Sequence, residues 1–135
     1  MRTGEPVTFE FWLLASGPNK SEAHVSPPRT EGRLPRIARL MALAIRFDGL
    51  IRSGAIRDYA DLARLGGVSP ARISQIMGLL NLAPDLQEQI LLLDRVIDAP
   101  DPITERALRK ICGLLCWTEQ RQLWSRLRAD NRKLD

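Results

Sequence analysis

The side chains best suited to chemistry in this sequence are crowded into one short stretch, Ser69-Pro70-Ala71-Arg72-Ile73-Ser74-Gln75. An arginine fork matches the edge of guanine and a glutamine amide matches adenine, each such pair discriminating by about 1–3 kcal/mol. The expected base-reading set is therefore Ser69, Ala71, Arg72 and Gln75. Ser74, with Arg36, Arg52, Arg57 and Arg64, is expected on the sugar-phosphate backbone, where contacts orient a protein without reading sequence. Ser69 and Ser74 are each placed for a phosphate or a base, and a helix N-terminus starting at Ser69 itself favours phosphate. Tyr59 is expected to pack rather than to bind.

Other chemistries find less material. There is no glycine-rich phosphate loop, and the single histidine, His24, lies in a loop-like stretch and reads as a solvated residue. Asp94, Asp98 and Asp101 are expected to be solvated acids on a helix end and a loop. Cys112 and Cys116 lie four apart, but two thiolates without further ligands do not make a zinc site; they read as core or surface thiols. The expectation is no catalytic residue, no metal, no cofactor and no small-molecule substrate.

These side chains need a rigid mount, and residues 58–82 supply the pattern for one. Two short helices are predicted, joined by a tight turn. Asp58 caps the first, on which Leu62 and Ala63 face inward; Ala63 is small enough to admit a crossing helix. Gly67 stands where the turn requires positive φ, and Val68 closes it with an apolar contact. Ser69-Pro70 starts the second helix, a hydroxyl cap followed by proline at the first helical position. Ile73, Ile76, Leu79 and Leu80 recur at three and four and bury one stripe. Ser69, Pro70, Ala71, Arg72, Ser74, Gln75 and Gly78 are left outside it. That is the layout of a DNA-binding helix-turn-helix, in which the front of the second helix enters the major groove; the plainer alternative is an αα-corner in a helical bundle.

The remaining chain is predicted to be helical around this unit. A first long helix, roughly 35–53, carries Ile37, Leu40, Met41, Ala44, Phe47, Leu50 and Ile51 on its buried side and ends at Gly54. Past Ala83-Pro84 a further helix buries Leu86, Ile90, Leu93 and Ile97. Thr104 caps a helix with Leu108, Ile111 and Leu115 inward, and Thr118 caps the last, where Leu123, Trp124 and Leu127 form a narrow apolar seam. Residues 5–15 alternate with period two and read as a strand, so 1–15 forms an N-terminal strand or arm. Residues 16–33 read as a flexible linker and 34–130 as the helical domain. The fold expected is all-α, a multi-helix bundle built on the helix-turn-helix, with a short N-terminal strand or arm.

Charge follows the same division. The formal net charge over 135 residues is +4. Residues 29–72 hold nine arginines against four acids, net +5; residues 80–105 hold six acids and one arginine, net −5; residues 106–135 hold eight bases and three acids, net +5. A basic face backed by an acidic segment suits docking on phosphate in one orientation. No apolar run approaches the ~20 residues of a spanning helix, and Glu5 and Glu10 replace the basic flank of a signal peptide. A cytoplasmic, nucleoid-associated protein is expected.

The stretch LARLGGVSPARISQIMGLLNLAPDLQEQILLL, followed by ITERALRKI, resembles the DNA-binding middle of the ParB/KorB family of chromosome- and plasmid-partition proteins. Gly67, Ser69, Ile73, Leu79, Leu80, Leu82 and Pro84 match its pattern, with one residue extra before the proline, and Ile103-Thr104 stands at its isoleucine-threonine helix start. The likeness covers about residues 55–112. Gly78 replaces the arginine usual before the paired leucines, and an arginine in TERAL replaces a histidine. Nothing upstream resembles the family's arginine-rich phosphate motif, so CTP-dependent clamping is not implied. What the resemblance implies is a helical fold and sequence-specific duplex binding, not partition as such; the function expected is that of a small transcriptional regulator or an accessory of partition or a mobile element. One module buries little DNA, so a homodimer on two half-sites is expected, joined through 5–15 or the seam at 117–127. The rival reading is a helical adaptor that grips another protein and not DNA.

Overall fold

The computed structural model describes residues 32–132. They form six α-helices and no strand: α1 (Arg36–Arg52), α2 (Tyr59–Gly66), α3 (Pro70–Met77), α4 (Pro84–Leu91), α5 (Glu105–Cys112) and α6 (Trp117–Arg132), with a 3-10 turn (Gly78–Asn81) after α3. The expected strand at 5–15, His24 and most of the expected linker lie outside the described residues. None of the described helices is long and apolar enough to cross a membrane.

The centre of the domain is α1. Its apolar residues recur at helical spacing, and Ile37, Ala38, Leu40, Met41, Leu43, Ala44 and Phe47 are all buried. Such a wide stripe takes neighbours on several sides: α3, α4, α5 and the 3-10 turn all pack against it. The core continues on α2 through Leu62 and Ala63, on α3 through Ile73, Ile76 and Met77, and on α4 through Leu86 and Ile90.

The α2–α3 connection follows from local chemistry. Asp58 accepts from the Asp61 amide at 2.9 Å, starting α2. Gly67 ends it at φ 63°, ψ 31°, and the Val68 amide reaches back to the Ala63 carbonyl at 3.1 Å. This six-to-one bond closes the helix over a left-handed residue, where a side chain would be strained. The Ser69 hydroxyl then accepts from the Arg72 amide at 3.2 Å, and Pro70 takes the first helical position.

Several expectations are corrected. The helix after the turn stops at Met77, and Gly78 starts a 3-10 turn held by the Gln87 side-chain amide, which donates to the Leu80 and Leu82 carbonyls at 3.1 and 2.9 Å. Helix α4 stops at Leu91, so Ile97 is exposed rather than core. The reason is Arg33, whose backbone exchanges two hydrogen bonds with Val96 at 2.9 and 2.8 Å and draws that segment out of helical register. Gly32 and Arg33 are thus docked on the domain and not part of a linker. Helix α5 ends at Cys112, which leaves Leu115 fully exposed beyond the helical repeat. Cys116, not Thr118, stands at the start of α6, its carbonyl accepting from Gln120 at 3.0 Å.

The seam on α6 packs within the chain. Trp124 is buried and donates through Nε1 to Gln89 at 2.8 Å, Leu123 and Leu127 lie against the core, and Arg121 clasps Asp85 at 2.9–3.2 Å. Gln120 is buried: it accepts from the Ala83 amide at 2.9 Å and donates to the Asn81 and Leu114 carbonyls at 3.2 and 2.9 Å. That side chain pins three segments whose backbone groups find no partner in a regular helix.

Candidate nucleic-acid interface

Helix α3 presents Ser69, Pro70, Ala71, Ser74 and Gln75 to solvent while its opposite side fills the core. Ser69 combines two roles: its hydroxyl accepts from the Arg72 amide, and its proton and second lone pair remain to offer a ligand. Ser74 and Gln75 sit one turn further on, uncovered by any later helix.

Arg72 is different. It lies on the border between the exposed front and the core, its side chain 18% exposed, and it is gripped by Glu105 of α5. Nη1 meets Glu105 Oε1, Nη2 lies 3.3 Å from Oε2, and Nη1 also reaches Gln75 Oε1 at 3.4 Å. In this state Arg72 is not a free base reader. Glu105 also accepts from Arg36 Nε of α1 at 3.3 Å, and Arg109 Nη2 stands 4.0 Å away. Burial alone would raise this carboxyl; the hydrogen bonds and charges of Arg72 and Arg36 outweigh it and hold it below the usual range.

A second acid completes the cluster. Asp101 meets Arg33 Nη1 and accepts the Arg36 amide at 2.9 Å, placing negative charge at the N-terminus of α1. It is therefore a cap and a counter-ion rather than a solvated loop acid. Arg39 lies near by with Nε buried and without a hydrogen-bond partner. Burial lowers its pKa; the Asp101 charge opposes this, and Arg33 and Arg36 add to it. Five guanidiniums thus surround two carboxylates.

The other expected backbone contacts divide between two places. Arg57 and Arg64 converge on Asp61, at 2.9 and 3.0 Å, and their hydrogen bonds pull its carboxyl down to about 2. Arg52 pairs within α1, with Asp48 at 2.8 Å. These three arginine side chains are 70–81% exposed, so the pairs are screened and weak and can give way to another anion. Nothing in the sequence singles out Glu105, Arg33, Arg39 and Arg109 for this cluster, and Asp101, expected to be solvated, belongs to it. The acidic segment is not simply behind the basic one: Asp101 and Glu105 reach into the arginines.

The thiols stay apart in character. Cys112 is half-buried, which pushes its pKa up to about 11; exposed Cys116 accepts from the Glu119 and Thr118 amides and from the Thr118 side chain, which lowers it. No group of three or more histidine, cysteine or acidic side chains suited to a metal occurs among the described residues.

Compared with protein-family models, with curated proteins and with solved structures, the chain matches none, so the site is defined by its own geometry: an uncovered polar helix front flanked by arginines.

Proposed function

We propose that this protein binds double-stranded DNA in a sequence-dependent way, with α2 across the backbone and the front of α3 in the major groove. The observation that carries the reading is the uncovered front of α3. Its residues are small or polar, it begins at a capped helix terminus, and the side chains of Arg57, just before α2, and Arg64, on α2, are exposed. The resemblance to the ParB/KorB pattern across residues 55–112 supports the same reading. Base contact falls first to Gln75, with Ala71 and Ser69 beside it, and Ser74 turns toward backbone or base. Arg72 joins only when it leaves Glu105. Two such modules on half-sites about 34 Å apart give the affinity one lacks, so the bound form is a homodimer. A small regulator, or an accessory of partition or of a mobile element, fits this activity, and nothing in it calls for catalysis.

Selection of bound duplexes from a random pool tests this. A recovered site with repeated half-sites is the expected result. On that site Gln75→Ala is expected to flatten sequence preference by about 1–3 kcal/mol at one position. Arg57→Ala is expected to weaken all sequences alike and to lower the salt slope by about one. Equal effects from both variants would overturn the division of roles. The adaptor reading draws on Leu65, which is 54% exposed on α2. Failure to shift any duplex at low salt would favour it.

A further inference from the structure

The guanidiniums around Glu105 are too many for a structural ion pair. Arg36 comes from α1, Arg72 from α3 and Arg109 from α5, and all three aim at one carboxylate. A bridge joining α3 to α5 needs one arginine. Arg72 meets the carboxylate with its fork, Arg36 through Nε at 3.3 Å and Arg109 from 4.0 Å; three guanidiniums from three helices match instead the several oxygens of a phosphate, which arginine binds in the same planar, bidentate way as a carboxylate. The acid in their midst is the first residue of α5, directly beside the exposed front of α3.

We propose that Arg36, Arg72 and Arg109 form a phosphate seat, and that Glu105 is the chain's own stand-in for the phosphate. The seat takes a backbone phosphodiester of the duplex, and this rests on the DNA reading above. The exchange is favourable in kind. The side chains of Arg72 and Glu105 are only 18% and 14% exposed, so drawing Arg72 away bare would leave a poorly solvated charge. Replacing one anion by another leaves no such charge, and it frees the Glu105 carboxylate to turn toward water. In the absence of DNA, the same contact holds the cationic cluster together and blunts its attraction for other polyanions.

The test compares wild type, Glu105→Gln and Glu105→Asp, each alone and with Arg72→Ala, in the full chain. Two probes are used: a labelled duplex of random sequence, followed by anisotropy, and inorganic pyrophosphate, followed by the thermal midpoint. Glu105→Gln is expected to bind the duplex about fivefold tighter than wild type, the effect of removing one nearby like charge. Glu105→Asp keeps a charge at the start of α5 but withdraws it from Arg72, and is expected to gain less. Pyrophosphate is expected to raise the midpoint of Glu105→Gln more than that of wild type, and Arg72→Ala is expected to abolish both gains. If wild type binds the duplex but neither Glu105 variant binds tighter, and pyrophosphate raises no midpoint, the seat falls while the DNA reading stands. If pyrophosphate stabilises Glu105→Gln through Arg72 but no form binds the duplex, the seat stands and the DNA reading falls. Gains that survive Arg72→Ala overturn the seat, because they would report net charge alone. Should Glu105→Gln unfold, the aspartate variant decides by the same criteria.

Discussion

Two cysteines four positions apart show how far a residue's chemistry depends on a few ångströms of surroundings. Cys112 lies toward the core at the end of α5, and with its pKa near 11 almost none of it is thiolate at neutral pH. Cys116 is exposed at the start of α6, where amide donors stabilise the thiolate. Iodoacetamide at about pH 8, near the ordinary thiol range, is expected to modify Cys116 first, and Cys112 only once the chain is unfolded by urea; mass spectrometry of the two peptides over time checks this. Equal rates in the folded protein would contradict the burial of Cys112. The pH dependence has a matching sign. The folded Cys112 thiol ionises later than the unfolded one, so its contribution to stability is whole below pH 9 and is lost as pH rises toward 11.

At the scale of elements, the α2–α3 unit is set by two residues at its turn. Gly67 has φ +63°, and no atom lies within 4 Å of where its Cβ would be. Gly67→Ala therefore costs backbone strain and nothing steric, about 1–2 kcal/mol. Ser69→Ala removes the cap on Arg72 and is expected to cost about 1 kcal/mol. Urea unfolding should show both as lower midpoints with unchanged slope. A Gly67→Ala midpoint equal to that of wild type would mean that the turn adopts another conformation. Gly67→Ala leaves the front of α3 chemically intact, and Ser69→Ala removes one hydroxyl from it but keeps Gln75 and Ser74, so residual DNA binding is expected in each.

At the scale of the whole molecule, α6 decides whether the chain closes on itself. Trp124 is 2% exposed, bonds to Gln89 and lies under Arg128, whose guanidinium is 5.8 Å from the ring. With Leu123 and Leu127 packed beside it, the seam belongs to the core of one chain and offers little to a second copy. Trp124→Ala is expected to cost about 3–5 kcal/mol, and the loss should not vary with protein concentration. A melting temperature whose dependence on concentration disappears in this variant would instead make the seam an interface between copies.

The sequence by itself determined what depends on neighbours a few positions away. Asp58, Ser69 and Thr104 cap their helices, Gly67 takes the left-handed turn, and Ile37, Leu40, Met41, Ala44 and Phe47 line one side of α1, because capping and helical period act within a turn or two of chain. The exposed front of α3 followed from the same periodicity. Tertiary structure alone decided where charges meet. Arg72 and Glu105 are 33 residues apart, and the Arg36 amide and Asp101 are 65 apart. Nothing local marks such partners, since an ion pair forms wherever folding brings two side chains together. The ends of α4 and α5 escaped the periodic reading for the same reason. A bridge to Arg33 overrode helical propensity near Val96, and the turn into α6 carried Leu115 away from the core.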